Sequence, residues 1–362
     1  MAENIRVGVI GTSWFTDVFH LPALKSHPRV DVTAVCGRNR QRAAEIAGKY
    51  AVPLVFSDYR EMIERGGVDA VLVASPDDQH YAMAMDVLEA GKHLFCEKPL
   101  ALNAVQAGEM VQKAQSAGVI HGVMFTFRWT PEYQYLRRLV EEGYIGRPYH
   151  CQVRYLSQWG LEPAYNWRYD RRRANGALGD LGAHAIDLAR LFFGEITRVS
   201  ARLDTYIQRP GPSGEPIDPS NDAAVLLLEF ANGAQGTLQV SAAAHTDQLQ
   251  TIDVELHGAA GSLSASLPWQ SGARLMRVPG AGQPAQDLPV PEELWCGTPP
   301  ADNYMDRFAQ LLCRASIGDR LFIDSILSGS LPQPNLVDGW KVQQVVDAAL
   351  ASNASGQWVE VH

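Results

Sequence analysis

Asp180 and His184 stand four residues apart in the run Gly176-Ala177-Leu178-Gly179-Asp180-Leu181-Gly182-Ala183-His184, and Asp187 follows three later. On a helix all three share one face, beside an apolar stripe of Leu181, Ala185, Leu188 and Phe192. A carboxylate one turn from an imidazole can orient it and stabilise its protonated form, which suits a histidine that takes up and returns a proton. Two plainer readings stand beside this one. The aspartate can pair with the positive end of a helix next to a histidine satisfied in the core, or the two can be metal ligands at i, i+4 spacing. No further ligand stands at metal spacing, so the expectation is no metal site.

The second constellation is Glu97-Lys98-Pro99. Proline restricts the backbone of the residue before it, which helps to aim the Lys98 ammonium group. For an isolated Glu-Lys pair, a surface lysine neutralised by Glu97 explains the residues as well. A third is the turn Gly11-Thr12-Ser13-Trp14-Phe15-Thr16, which carries only the first glycine of the dinucleotide fingerprint G-x-G-x-x-G/A. Gly11 permits a tight turn. Ser13 brings a Cβ where a glycine is usual, and a hydroxyl able to donate to a phosphate oxygen. The helix start that follows offers unpaired N–H groups. Taken alone, such a glycine is structural as often as functional.

These residues need elements to position them. Short apolar runs at 5–10, 30–36, 54–56, 68–74, 93–96 and 119–125 read as strands; 15–26, 40–50, 59–65, 80–90 and 104–117 read as helices. Near-continuous apolar strands alternating with helices predict a doubly wound parallel sheet, an α/β Rossmann domain over residues 1–126. Ser75-Pro76 and Glu97-Lys98-Pro99 then fall at carboxyl ends of strands, where open α/β sheets bind ligands. The second strand ends Val35-Cys36-Gly37-Arg38-Asn39-Arg40 without the acid that would bond the adenosine ribose of NAD. Asp31 lies at the other end of that strand, about 20 Å away at about 3.3 Å per residue. Arg38 is placed to stack on adenine or pair with a 2′-phosphate, so NADP is favoured over NAD. Arg38 and Arg40 also fit as ordinary solvated residues opening a helix.

After residue 126 the rhythm changes. A helix near 131–142, strands near 148–156, 199–207, 224–230, 234–243 and 251–258, and turn signals such as Ala231-Asn232-Gly233 predict an α+β domain over 127–362 with a large, mainly antiparallel open sheet. The stretch 209–220 reads as an exposed loop. Helices at 301–313 and 336–351 close the chain, and a late helix is expected to pack back on the first domain. With too few helices to cover both sheet faces, the sheet predicts a homodimer or homotetramer.

Net charge of -9 repels phosphate backbones, which argues against a nucleic-acid partner. No run approaches the roughly 18 apolar residues of a membrane span. The opening MAENIRVGVIG has no basic and apolar leader pattern, and the five cysteines form no CxxC pair. Both observations predict a cytoplasmic protein with reduced thiols.

Together the motifs resemble the Gfo/Idh/MocA family, the glucose–fructose oxidoreductase and inositol dehydrogenase group. The likeness runs through HLPAL, SPDDQH, AGKHLFCEKPLA, FTFRWTP, EEGYIGRP, WRYDRRRANGALGDLGAHAIDLA and PNLVDGWKVQQVVDAAL. The glutamate-lysine-proline element joined to D-x-G-x-H is the specific part; Ser13 and Thr16 depart from the usual small fingerprint residues. The resemblance implies a Rossmann domain plus a sheet domain, and an NAD(P)-dependent dehydrogenase acting on a secondary hydroxyl of a sugar, polyol or related cyclic carbohydrate. It makes His184 the acid–base group, Asp180 its helper and Lys98 the partner of the reacting hydroxyl. Arg128, Trp167, Arg168 and Asn175 fall where the family lines its substrate pocket. Gly11, Ser13, Trp14, Phe15, Gly37, Arg38, Ser75, Pro76, His80, Glu97 and Lys98 are the candidate cofactor contacts. Two rival functions are a dinucleotide-binding regulator and an NAD-redox-cycling hydrolase or lyase of the same family.

Overall fold

The computed structural model describes residues 3–362. The chain forms two compact units: residues up to Phe125 joined by Phe308–Lys341, and Thr126–Arg307 joined by Val342–His362. The chain leaves the first unit after Phe125 and returns to it over Phe308–Lys341. The returning segment is held there by Phe322, whose ring stacks on Phe95 with centroids 5.2 Å apart.

The first unit holds strands β1 (Ile5–Ile10), β2 (Val30–Cys36), β3 (Leu54–Phe56), β4 (Ala70–Val73), β5 (His93–Glu97) and β6 (His121–Met124). They form a parallel sheet in the order β3-β2-β1-β4-β5-β6, so the winding direction reverses between β1 and β4. Every residue of β4 and of β6 is buried, as the continuous apolar runs require for strands covered on both faces. The helices are α1 (Leu21–Lys25), α2 (Arg40–Tyr50), α3 (Tyr59–Arg65), α4 (Asp77–Glu89) and α5 (Ala104–Ala117). Asn39, Asp58 and Asn103 cap α2, α3 and α5 by accepting a backbone N–H of the first turn.

Two local differences matter for the site. The expected helix over 15–26 forms as one helical run from Trp14 to Lys25, with a π turn, Thr16–His20, inside it. Pro22 has no N–H to give the carbonyl of residue 18 and its ring crowds that oxygen, so the chain widens ahead of it. Helix α4 starts at Asp77 rather than at His80, which puts His80 inside its first turns.

The second unit carries a nine-stranded sheet with α6 (Pro131–Glu141) and α7 (Ala183–Phe193). Its strands are β7 (Pro148–Ser157), β8 (Ile196–Asp204), β9 (Ala223–Phe230), β10 (Gln235–Ser241), β11 (Gln250–Gly258), β12 (Ser262–Pro268), β13 (Arg274–Val278), β14 (Gln286–Asp287) and β15 (Val359–Glu360). The order is β14-β13-β12-β11-β7-β10-β9-β8-β15, antiparallel except between β7 and β10. Strands β9 to β11 alternate buried and exposed residues, so one face makes the core and the other is open. The sheet is wider than the sequence suggests. In β12 serines separate Leu263, Ala265 and Leu267, and that polar content hides a strand whose apolar residues all face inward.

Helices α8 (Tyr304–Leu312), α9 (Gly318–Ser328) and α10 (Leu336–Ser355) follow; α9 is not anticipated by the sequence reading. The loop 209–220 is exposed in its middle but not at its start. Arg209 is buried, pairs with buried Asp222 at 3.3 Å and lies 3.8 Å over the Tyr169 ring. That pair anchors the loop, and Ser220 N–H then bonds the Tyr169 carbonyl at 2.8 Å. Among the described residues no helix is long and apolar enough to cross a membrane.

Candidate active site

The registers bring three turns side by side in the first unit. Ile10 of β1 pairs with Val73 of β4, and Val73 pairs with Cys96 of β5. Gly11, Ser75-Pro76 and Lys98 therefore leave the sheet at one edge. Gly11 has φ +118°, and a Cβ there would lie 2.2 Å from the Ala74 carbonyl oxygen. Only glycine can make that turn and leave its backbone open. Ser13 closes the turn: its Oγ accepts the Thr16 N–H at 3.2 Å and meets Thr16 Oγ1 at 3.1 Å.

A cleft of about 570 Å³ runs along this edge, and its walls include Gly11, Ser13, Gly37, Arg38, Ser75 and Pro76 of the expected set. Thr12, Ser57, Tyr59, Gln79 and Met83 join them, and none of the wall residues is acidic. Asp31 sits beside Arg6 at the far end of β1, well away from this edge. Gly37 cannot be exchanged for an acid without disturbance, because a Cβ would fall 2.7 Å from Thr12 Cγ2. Hydroxyls, an open glycine turn and a cationic residue at the β2 end fit a dinucleotide.

The remaining cofactor candidates lie outside these walls. Trp14 is exposed, its ring edge-on to Phe19 at 5.5 Å. Phe15 turns inward, 4.6 Å from Phe19 and 5.2 Å from His20 between ring centroids. His80 is buried and binds backbone at both ring nitrogens: Nε2 to the Ser75 carbonyl and Nδ1 to the Pro99 carbonyl, each at 2.8 Å. Burial lowers its pKa, against the pull of those carbonyls. Its place is to tie two turns together. Glu97 bonds the Lys98 N–H through Oε2 at 3.1 Å and buried His20 through Oε1 at 3.1 Å. His20 also bonds Asp319. Neither His20 nor Asp319 is a candidate from the sequence, although the motif HLPAL contains the histidine; its acid partner stands 299 residues away.

In the second unit His184 is buried on α7, its ring edge-to-face with Phe127 at 4.7 Å and 6.4 Å from Tyr155. Asp180 belongs to a π turn, Leu178–Gly182, that leads into α7, and it accepts from Arg168 Nε at 3.1 Å. Arg168 in turn lies 4.3 Å over the Trp167 ring. Asp180 and His184 thus lie in one helical run, the aspartate in its π turn and the histidine in the α-helix that follows. Asp187 is buried and receives a two-pronged grip from Arg128, with Nε at 2.7 Å and Nη2 at 2.6 Å. Arg128, expected to line a substrate pocket, thus also forms a buried ion pair on α7. Asn221 organises the helix start: its Oδ1 accepts the Leu178 N–H at 2.9 Å and its Nδ2 donates to the Asn175 carbonyl at 2.8 Å. Asn221 lies just past the loop and carries no motif, so nothing local in the sequence marks it.

A doubly wound sheet with an open glycine turn, followed by a sheet unit with a buried helix-borne histidine, is the architecture of a dinucleotide-dependent oxidoreductase. Residues 5–125 match the family described as "Oxidoreductase family, NAD-binding Rossmann fold", and residues 133–264 match the "GFO/IDH/MocA C-terminal domain". The chain belongs to the Gfo/Idh/MocA family of oxidoreductases. It is 30% identical to a levoglucosan dehydrogenase of Pseudarthrobacter phenanthrenivorans, over 99% of this chain and 98% of that protein. It is 31% identical to the myo-inositol 2-dehydrogenase of Thermotoga maritima, over 69% of this chain and 72% of that one. A solved levoglucosan dehydrogenase in complex with NADH superposes with a TM-score of 0.88 at 27% identity, covering 99% of this chain and 100% of that one.

Proposed function

We propose that this protein oxidises a secondary hydroxyl of a cyclic sugar, polyol or related carbohydrate, with His184 as the base and Lys98 on the reacting oxygen. The observation that carries the reading is Lys98 leaving β5 at the same sheet edge as the Gly11 and Ser75 turns. The nicotinamide, when bound, supplies the hydride acceptor. His184 takes the hydroxyl proton, and its setting among Phe127 and Tyr155 keeps water from competing for that proton. The Lys98 ammonium stabilises the charge that develops on the oxygen. Asp180 and Arg168 form a polar wall, Trp167 offers an apolar face to a sugar ring, and Asn175, its carbonyl held by Asn221, completes the set. A panel of sugars and polyols, levoglucosan and myo-inositol among them, assayed with both cofactors by nicotinamide absorbance tests the reading. No turnover across the panel overturns it; turnover without net absorbance change points instead to a redox-cycling hydrolase or lyase.

NADP is favoured over NAD in this reading. The support is exposed Arg38 on a cleft without an acid, at a strand end where a Cβ on residue 37 would press on the Thr12 methyl. The NADH bound to the levoglucosan dehydrogenase makes the ratio of affinities the informative measurement. A charge-assisted bond is worth about 1.5–3 kcal/mol, so Arg38→Ala is expected to weaken NADP by roughly 10–100-fold and NAD by much less. Equal dissociation constants for the two cofactors in the unmodified protein remove this preference.

The open face of the large sheet supports a homodimer or homotetramer. Leu227 and Trp358 are exposed on a hollow bordered by His150, Gln152 and Thr237, and exposed Val225 lies two residues from Leu227 on β9. Apolar residues gathered on one sheet face are an interface signature. Light scattering is expected to give at least twice the chain mass at micromolar concentration; a monomer rejects the assembly. Buried Cys36, Cys96 and Cys151, all unpaired thiols, support a reducing cytoplasmic setting.

A further inference from the structure

The turn that carries Lys98 is gripped by groups the reaction above does not use. His20 closes the π turn and is fully buried. Its Nε2 donates to Glu97 Oε1 at 3.1 Å, and its Nδ1 donates to Asp319 at 2.9 Å. Both ring nitrogens face carboxylates, so both carry hydrogen and the ring is an imidazolium. The charged groups facing it are these two; Phe15 and Phe95 approach as ring edges at 5.2 and 6.5 Å. Burial alone would lower its pKa, but Asp319 and Glu97 outweigh it and hold it up at about 10.

The second oxygen of Glu97 accepts the Lys98 backbone N–H at 3.1 Å. From the other direction His80 holds the Pro99 carbonyl at 2.8 Å. The side chain of residue 97, the N–H of 98 and the carbonyl of 99 are therefore each tied, and the direction in which Lys98 leaves the sheet is set by these ties. Without the imidazolium, Glu97 loses the partner that holds its carboxylate against this turn, and the Lys98 N–H loses a fixed acceptor.

We propose that His20 and Asp319 are positioning residues, whose buried ion bridge keeps Glu97 turned inward and thereby aims Lys98; this rests on the part given to Lys98 above. The bridge also gives the returning segment Phe308–Lys341 a task, because Asp319 stands in the first turn of α9.

The test is a double-mutant cycle in single turnover at high enzyme concentration, on the panel alcohol with the highest kcat. His20→Gln is expected to lower kcat by roughly 10–100-fold, as a misaimed group does, while the NADP dissociation constant stays within about threefold. In a Lys98→Met background the same change is expected to cost less than about twofold, because the bridge acts through the lysine. Asp319→Asn keeps the His20–Glu97 contact and is expected to give a smaller loss, which serves if His20→Gln does not fold. Nitrogen NMR of the cofactor-free protein is expected to show His20 doubly protonated at about pH 8. Equal losses in both backgrounds, full kcat in a folded His20→Gln protein, or a singly protonated ring overturn the positioning role and leave Lys98 standing. Full kcat in Lys98→Met overturns both.

Discussion

His184→Ala is expected to fold, to bind cofactor, and to lose roughly 10²–10⁴-fold in kcat, the range that follows loss of a general acid–base group. The ring is buried against Phe127 and Tyr155, so alanine leaves a small gap, and some loss of thermal stability accompanies the change. Lys98→Met is expected to lower kcat comparably with cofactor affinity within a few-fold, since the ammonium acts on the hydroxyl oxygen. Asp180→Asn weakens the bond to Arg168 and is expected to be damaging but not additive with His184→Ala, because groups that act as a unit are lost together. A purely structural helix start predicts the opposite pattern: lower melting temperature and near-normal turnover in the folded fraction. Measuring kcat on protein verified as folded by circular dichroism separates the two, and full activity in His184→Ala assigns the base elsewhere.

Arg128→Met is expected to act on stability rather than on substrate affinity. Arg128 and Asp187 are both buried, and the guanidinium grips both carboxylate oxygens. Removing the guanidinium takes these bonds from the buried carboxylate, and breaking a buried pair costs about 3–5 kcal/mol. At roughly 2–4 °C per kcal/mol this lowers Tm by on the order of 10 °C. The double change Arg128→Met with Asp187→Leu removes both charges and is expected to recover most of the loss. KM for the sugar should change little in the folded single variant. A large rise in KM with an unchanged Tm would return Arg128 to the substrate pocket.

These two residues show where local reading succeeds and where it stops. The parallel sheet was legible because strands covered on both faces must be continuously apolar, and β4 and β6 are. The α7 segment was legible because its glycines, acid and histidine lie within a few residues, so their spacing already implies a shared helix. The glycine cradle follows from one residue at a strand–helix junction. The pocket role of Arg128 comes only from the family resemblance of its motif, and its counter-ion, 59 residues on, is not marked locally.

What only the tertiary structure decided are the partnerships across sequence distance. His20 and Asp319 meet over 299 residues, Asn221 caps a helix start 43 residues before it, and Asp222 buries the arginine that opens an apparently exposed loop. Strand β12 was hidden because serine hydroxyls mask an inward row of Leu263, Ala265 and Leu267, and β14 and β15 are two residues each, too short for any period. The physical reason is common to all of them. Periodicity, capping and turn chemistry are settled by neighbours within a turn or two and so are written along the chain. The partner that neutralises a buried charge is chosen by the packing of elements that meet only once the whole chain has folded.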